Sequence, residues 1–133
     1  MSPRGRGTGA DRGQATVELA LVLPLAVALL LLLVQVGLVV RDELLVVHAA
    51  REGARAAAVG LDDAKVRAAV AAAGPLRSGN LRVEVARRSA DGGQVVVTVR
   101  YRSVTDLPLV GALVPDVVLR AQVQMREEVP AAP

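Results

Sequence analysis

The sequence predicts an α+β protein with a long amino-terminal helix, a short second helix and a small three-stranded antiparallel sheet. It also predicts a single membrane pass in the first half of the long helix. An uncharged apolar run covers residues 19–40, helical spacing continues from it to Gly60, and alternating apolar residues begin at Leu81. At about 1.5 Å per residue, roughly 20 helical residues cross a hydrocarbon layer of ~30 Å, so the run is long enough to span it.

The first thirteen residues are rich in Gly and Arg and show no apolar periodicity, which predicts a disordered basic leader. The predicted long helix covers 14–60, because charges beyond the span recur three or four residues apart and Gly60 is a suitable stop. Arginines precede the span, whereas Arg41 is followed directly by two acids. The amino terminus is therefore expected in the cytoplasm and the carboxyl-terminal domain outside it.

A small extracytoplasmic α+β domain is predicted over 61–128, followed by a loose Pro- and Ala-rich tail over 129–133. Asp62 is a suitable N-cap for a second helix over 63–73, which Gly74 and the following proline end. The apolar face of the sheet has to be covered, and the outer half of the long helix and the second helix are the best candidates.

Three strands are indicated by alternation of apolar and polar residues in the last third of the chain. An Asp-Gly turn at Asp91 joins the first two into a hairpin, and an apolar loop with Pro and Gly, 105–115, leads to the third. The apolar positions are Leu81, Val83, Val85; Val95, Val97, Val99, Tyr101; and Val117, Leu119, Ala121, Val123, Met125.

The composition limits how this domain is stabilised. The chain has 133 residues, no cysteine and 1 % aromatic residues, so its core is built from Val, Leu and Ala without disulfides. After removal of the leader and the span, roughly ninety residues remain, which suffices for one small domain. Support from the membrane or from neighbouring subunits is therefore expected.

Several classes of function are disfavoured. The net charge is +3, but the arginines are spread along the chain without interleaved aromatics, which argues against nucleic acid. His48 is the only histidine, so a metal site or a catalytic triad is not expected, and a packing or interfacial role fits it better. No phosphate-binding or dinucleotide motif occurs, so no cofactor or small-molecule substrate is expected. The chain is predicted not to be an enzyme.

Two features allow more than one interpretation. The apolar run is longer than the core of a secretory signal, typically about 7–15 residues, and lacks a small-x-small site at its end, which favours an anchor over a cleaved signal. Gly37 and Gly53 leave small faces on the long helix where another helix could approach, or they are simply tolerated there.

The start of the chain combines an arginine leader, Gly13, the segment QATVE at 14–18, Pro24 within the apolar run and REGARAAA at 51–58. In these features it resembles TadE-like pilus assembly proteins, pseudopilins of the tight-adherence system related to type IV pilins of the Flp class. The resemblance covers roughly the first sixty residues. The carboxyl-terminal region matches only in style, with strands ending in Met-Arg-Glu at 125–127.

This resemblance implies cleavage by a prepilin peptidase between Gly13 and Gln14, which makes Glu18 the fifth residue of the mature chain. It implies as partners membrane lipid, the peptidase, other pilin or pseudopilin subunits and the pilus assembly platform. Leu19 is a departure, since many members of the family carry an aromatic residue after the Glu. Gly13 has no side chain, so its peptide can enter a narrow protease site in an extended conformation.

Glu18 has a physical reason to pair with another subunit. An unpaired carboxylate in lipid costs several kcal/mol, whereas a helix amino terminus favours it by about 0.3–1 kcal/mol. After cleavage, Gln14 carries a cationic amine, and Glu18 of one subunit could pair with the amine of its neighbour. The alternative is that Glu18 lies at the level of the lipid headgroups.

The predicted function is therefore that of a minor pilin or pseudopilin in a tight-adherence, type IV-like pilus or secretion system. The alternative is an uncleaved single-pass membrane anchor with a small extracellular partner-binding domain. A third possibility is a secreted soluble factor from which the span has been removed.

Overall fold

The structure is a computed structural model that describes residues 10–88, 93–105, 111 and 115–128, with side chains from Gly13 onward. Most of the predicted leader, the turn at Asp91, most of the 105–115 loop and the tail 129–133 lie outside these residues. The described elements follow the predicted order: a long helix, a short helix and three strands. The predicted α+β fold class is therefore confirmed.

The long helix, α1, covers Ala10–Ala58 and has 49 residues, which corresponds to a length of roughly 70 Å. It begins before the predicted start at Gln14, so residues 10–13, predicted to be disordered, are helical. A formed helix extends by one hydrogen bond for each added residue, so a few polar residues ahead of a strong apolar helix join it at little cost. The helix continues through Pro24 without a break.

The carboxyl end of α1 is closed by Gly60, as predicted, although the helix itself ends two residues earlier. Gly60 has φ +81, and its N–H donates to the Ala57 carbonyl at 3.1 Å. The Leu61 N–H reaches back to the Ala56 carbonyl at 3.3 Å. This pair of bonds is a Schellman motif, in which a left-handed glycine lets the chain turn back and satisfy the last helical carbonyls.

The second helix, α2, covers Asp63–Ala72 and buries Val66 and Val70. Asp62 is its N-cap, as predicted: its Oδ1 accepts a hydrogen bond from the Lys65 backbone N–H at 2.8 Å. The helix ends one residue before the predicted 63–73 boundary. A single 3-10 turn, Ser78–Asn80, then leads into the sheet.

The sheet has three antiparallel strands in the order β1-β2-β3, with β1 at Leu81–Arg88, β2 at Gln94–Ser103 and β3 at Val117–Arg126. Val83 lies opposite Val99 and Val99 opposite Ala121, so the predicted apolar positions share one face. Val95, Val97 and Val99 at its centre are fully buried. The predicted alternation is confirmed in β3 and in the first part of β1, whereas in β2 the outward-facing Val96 and Thr98 are also buried.

One stripe of α1 covers that face. Its buried members are small, which allows the helix to lie close to β2 and β3: Val46, Ala49, Ala50, Gly53, Ala54 and Ala57. A Cβ at Gly53 would lie 2.5 Å from Val70 Cγ2 and 3.2 Å from Val97 Cγ1. Gly53 is therefore the point where α2, α1 and β2 approach most tightly, whereas nothing described lies within 4 Å of a Cβ at Gly37.

Candidate functional site in the amino-terminal helix

The three residues predicted to take part in processing and subunit pairing lie in the first turns of α1. Gly13, Gln14 and Glu18 are all exposed. Gln14 and Glu18 are four residues apart, so they lie on the same side of the helix. With Val17 and Leu21 they line one shallow surface depression. The structure therefore brings the predicted site residues together on one open surface.

Glu18 is exposed, so its carboxylate is accessible to a positive group of another molecule. Glu18 is the ninth residue of α1, beyond the first turn in which the helix dipole favours negative charge, so the uncleaved helix stabilises its charge little. Among the residues with described side chains, no cation lies within ion-pair distance of Glu18. A positive group supplied by another molecule can therefore reach it without displacing a partner from the described part of this chain.

The Gly13–Gln14 peptide bond lies within helical backbone. A protease that binds its substrate in extended form has to unwind this first part of α1. Glycine is less favourable in a helix interior than alanine by roughly 1 kcal/mol, so Gly13 makes that unwinding easier. Nothing described lies within 4 Å of a Cβ at Gly13, so the bond is also sterically open.

Beyond Glu18, α1 is apolar and exposed. Its most apolar stretch of 18 residues has a mean hydropathy of 2.8, and no part of that stretch is buried in the protein. Among the described residues it is the one helix long and apolar enough to cross a membrane. The large exposed side chains include Leu21, Leu25, Leu29 and Leu33. This surface is consistent with a helix whose natural surroundings are lipid or other helices.

Two polar pairs that sequence reasoning missed join the folded domain to α1, one within the predicted span and one just beyond it. The Gln35 side-chain amide donates to the Thr105 hydroxyl at 3.0 Å, and Gln35 is only 3 % exposed. About two helical turns further along α1, the Ser103 hydroxyl donates to Asp42 Oδ2 at 2.7 Å. The available signal was that Gln35 is the one polar amide within the apolar run.

At the opposite end of the domain, Arg87 makes a second set of polar contacts that sequence reasoning missed. The Arg87 guanidinium donates to Glu127 Oε1 at 2.7 Å and to the Leu61 carbonyl at 2.5 Å. It also lies 3.4 Å from both the Ala57 carbonyl and Asp63 Oδ1. Arg87 lies an even number of residues from the inward-facing Val83 and Val85 of β1. An arginine at such an inward position was the sequence feature that could have identified this contact.

His48 is exposed on α1. Among the described residues, no group of three or more His, Cys, Asp or Glu side chains could hold a metal ion.

A helix able to cross a membrane that continues unbroken into a small α+β domain defines a single-pass, membrane-anchored class of protein. Within that class, the family model described as TadE-like protein matches residues 13–55, about a third of the chain. The amino-terminal part of this protein is thus TadE-like, which confirms the resemblance seen in the sequence. No curated protein and no solved structure matches the chain.

The matched segment begins at Gly13 and ends three residues before the end of α1. It therefore contains Gly13, Gln14 and Glu18, the whole exposed apolar surface, and most of the helical stripe that carries the sheet. A TadE-like segment indicates involvement in a Tad/Flp pilus system. The second helix and the sheet lie outside the match.

Proposed function

We propose that this protein is a minor pilin or pseudopilin of a Tad/Flp, type IV-like pilus or secretion system. In this proposal prepilin peptidase cleaves it between Gly13 and Gln14, with the amino terminus in the cytoplasm and the α+β domain outside. The observation that carries the proposal is that the TadE-like match starts at Gly13 and covers the exposed part of α1. The partners are the peptidase, other pilin or pseudopilin subunits, the assembly platform and membrane lipid.

Cleavage would change the charge at one end of α1. Water hydrolyses the Gly13–Gln14 peptide bond, Gly13 keeps the new carboxylate, and Gln14 gains a free ammonium. The basic leader is lost with the released peptide. The mature helix then presents one cation at Gln14 and one anion at Glu18 on the same side.

These two charges give subunits a reason to associate. A carboxylate facing lipid alone costs several kcal/mol, and the ammonium of a neighbouring copy removes that cost by pairing with it. The apolar surface of α1 gives no comparable preference for one vertical position, because lipid tails and Leu side chains are similarly apolar. The Glu18 pair would therefore set the register between adjacent helices.

Determination of the amino terminus tests the processing step. The full chain is expressed in cells with and without prepilin peptidase, extracted from membranes and analysed by mass spectrometry. We expect a chain beginning at Gln14 only where the peptidase is present, and loss of that product in a Gly13→Val variant. Gly37→Val is the matched control, since that glycine also has open space around it. An intact Met1 or Ser2 terminus in peptidase-containing cells would contradict the proposal.

Charge removal tests the pairing step. We expect Glu18→Gln to be cleaved normally but to co-purify poorly with a differently tagged second copy or with the pilus. Glu43→Gln, beyond the apolar run on the same helix, is the control and should associate normally. If Glu18→Gln were trimmed and assembled like the parent chain, subunit pairing through Glu18 would be excluded.

The helical backbone at Gly13 favours the second candidate, an uncleaved single-pass anchor whose outer domain binds a partner. It predicts an intact terminus in every strain and unchanged function after Glu18→Ala. The terminus measurement therefore separates the two candidates before any assay of function.

A further inference from the structure

We propose that the membrane-proximal end of the sheet forms a binding site for the headgroups of anionic phospholipids. The site consists of two adjoining depressions between α1, the turn before β1 and the outer face of the sheet. They share Asn80 and Tyr101 among their lining residues. We call them together the basic pole.

A row of arginines crosses the outer face of the sheet at this end. Arg82 on β1 lies opposite Arg100 on β2, and Arg100 lies opposite Arg120 on β3. Like charges placed directly opposite each other destabilise a sheet, so a negative partner bound to this row would offset their repulsion. Arg102 lies two residues further towards the membrane end of β2 and is exposed.

The protein itself supplies little negative charge to this row. Glu84 is the one acid at the outward positions of the described strands, and it lies 3.2 Å from Arg100. The Arg120 guanidinium donates to the neutral Gln122 amide oxygen at 3.3 Å. Arg82 and Arg102 belong to the lining of a depression of about 230 Å³, with Asn80 as a further polar group. The surface of this depression is therefore positive and concave, whereas the adjoining depression has both Arg41 and the Asp42 carboxylate in its lining.

The adjoining depression places this charge at the membrane boundary. Its volume is about 340 Å³, and its lining includes Leu38, the last part of the apolar run, and Arg41, the first charged residue after it. The bond between Ser103 and Asp42 fixes the end of β2 at the same level. At about 3.3 Å per residue, Arg100 lies only about 10 Å beyond Ser103.

This height matches the layer occupied by lipid headgroups. Hydrocarbon and headgroup layers together are about 40–45 Å thick around a core of ~30 Å, so each headgroup layer is several ångströms deep. Arginine side chains extend several ångströms from the backbone and keep their charged ends at such interfaces. The planar guanidinium binds phosphate oxygens through two parallel hydrogen bonds. A phosphodiester with net negative charge therefore fits the basic pole in both height and chemistry.

The purified, uncleaved full chain tests this proposal independently of pilus assembly. The chain is reconstituted in nanodiscs of phosphatidylcholine with one fifth phosphatidylglycerol, and the retained lipids are counted by native mass spectrometry. We expect phosphatidylglycerol to be enriched over its bulk fraction. In the Arg82→Gln/Arg102→Gln variant, its apparent affinity should fall about thirtyfold, as expected for the loss of two charges near an anionic surface.

A matched variant keeps the net charge change equal. Arg88→Gln/Arg126→Gln removes two exposed arginines from the outward positions at the far end of the same sheet and should retain the enrichment. Equal losses in both variants would overturn the proposal in favour of diffuse attraction. Competition by millimolar inorganic phosphate would also overturn it, by indicating a free-anion site. Absence of enrichment in the parent chain would overturn it and favour an acidic protein as the partner.

Discussion

The Gln35 amide donates a hydrogen bond to the Thr105 hydroxyl at 3.0 Å, across 70 positions of the sequence. Gln35 belongs to the apolar run of α1, and Thr105 is the second residue after the end of β2. The pair therefore fixes the end of the sheet against the helix at the depth where the helix is still apolar. Among the described residues, the other polar atom of this side chain, Oε1, has no hydrogen-bond partner although it is buried.

This pair predicts an asymmetric response to mutation. Thr105→Val removes the acceptor and leaves a buried amide unpaired, so the free energy of unfolding should fall by about 1–3 kcal/mol. The double variant Gln35→Leu/Thr105→Val replaces both partners by apolar groups and should recover most of this loss. Denaturation of the full chain in detergent measures both. Thr98→Val, at a buried threonine of β2, is the control; a double variant no more stable than Thr105→Val would contradict the prediction.

The Arg87 contacts predict a local loss of stability at the far end of the domain. Arg87→Ala removes bonds to Leu61, Ala57 and Glu127 and should lower the free energy of unfolding by about 1–2 kcal/mol. The expected loss is at the lower end of the range for hydrogen bonds to charged groups. The Arg87 side chain is 31 % exposed, so solvent screening weakens its ion pairs.

Arg87→Lys and Arg88→Ala separate geometry from charge. Lysine keeps the charge but cannot fork between carbonyl and carboxylate, so Arg87→Lys should recover only part of the stability. Arg88 is the next residue of β1, is exposed, and should tolerate alanine. Chemical denaturation gives all three values, and equal losses at Arg87 and Arg88 would refute the role assigned to Arg87.

The two glycines of α1 should respond in opposite ways to alanine. Gly53→Ala places a methyl group 2.5 Å from Val70 Cγ2, so overpacking should destabilise the domain by about 1–3 kcal/mol. Gly37→Ala meets open space and should be neutral or stabilising by up to about 1 kcal/mol, because alanine favours the helix. Thermal unfolding in detergent compares them. Equal effects at the two sites would show that the close approach at Gly53 is absent.

The N-cap of α2 predicts a dependence of stability on pH. The hydrogen bond from the Lys65 backbone N–H holds the pKa of Asp62 below its ordinary value, with a smaller contribution from the Lys65 charge. The folded state therefore binds this proton less readily than the unfolded state. The resulting stabilisation is complete above the unfolded pKa of about 3.9 and is lost as the pH falls through the folded value.

Asp62→Asn tests that dependence. Asparagine caps a helix about as well as aspartate but does not titrate, so the variant should fold normally at neutral pH and lose less stability between pH 5 and pH 2, about the range in which carboxylates protonate. Asp62→Ala should be less stable at every pH because it lacks the cap. Urea denaturation at several pH values provides the profiles. Parallel profiles for the parent chain and Asp62→Asn would rule out the contribution of Asp62.

Local patterns predicted those parts of the fold that depend on neighbours in sequence. The spacing of Val95, Val97 and Val99 predicted the face that joins the core with α1, although Val96 and Thr98 on the other face are buried as well. Gly60 and Asp62 marked helix boundaries through their own backbone and side-chain chemistry. The start of α1 was misplaced because the helix extends into polar residues that have no apolar period of their own. The start of such a helix depends on how far the formed helix extends cooperatively, and no single residue type marks it in the sequence.

The polar contacts between distant elements could not be predicted in this way. Alternation along β1 places Arg87 on the inward side and Arg88 on the outward side, but it does not show that Arg87 reaches the end of α1. The row formed by Arg82, Arg100 and Arg120 depends on the pairing of β2 with β3, which a long connection leaves undetermined. In the processing region, Gly13, Gln14 and Glu18 were identified through the resemblance to TadE-like proteins, and their spacing along one helix places them together. Their role in cleavage and pairing stays a prediction.

The continuity of α1 has a mechanical consequence. No loop separates the apolar half of the helix from the half that carries the sheet, so the tilts of the two halves are coupled, with Pro24 as a point where the helix can bend. A change in tilt within the bilayer swings the outer domain through a proportionate arc, and a pull on the domain is transmitted along the helical hydrogen bonds. A partner bound to the sheet can therefore shift the depth of Glu18 in the membrane without contacting Glu18.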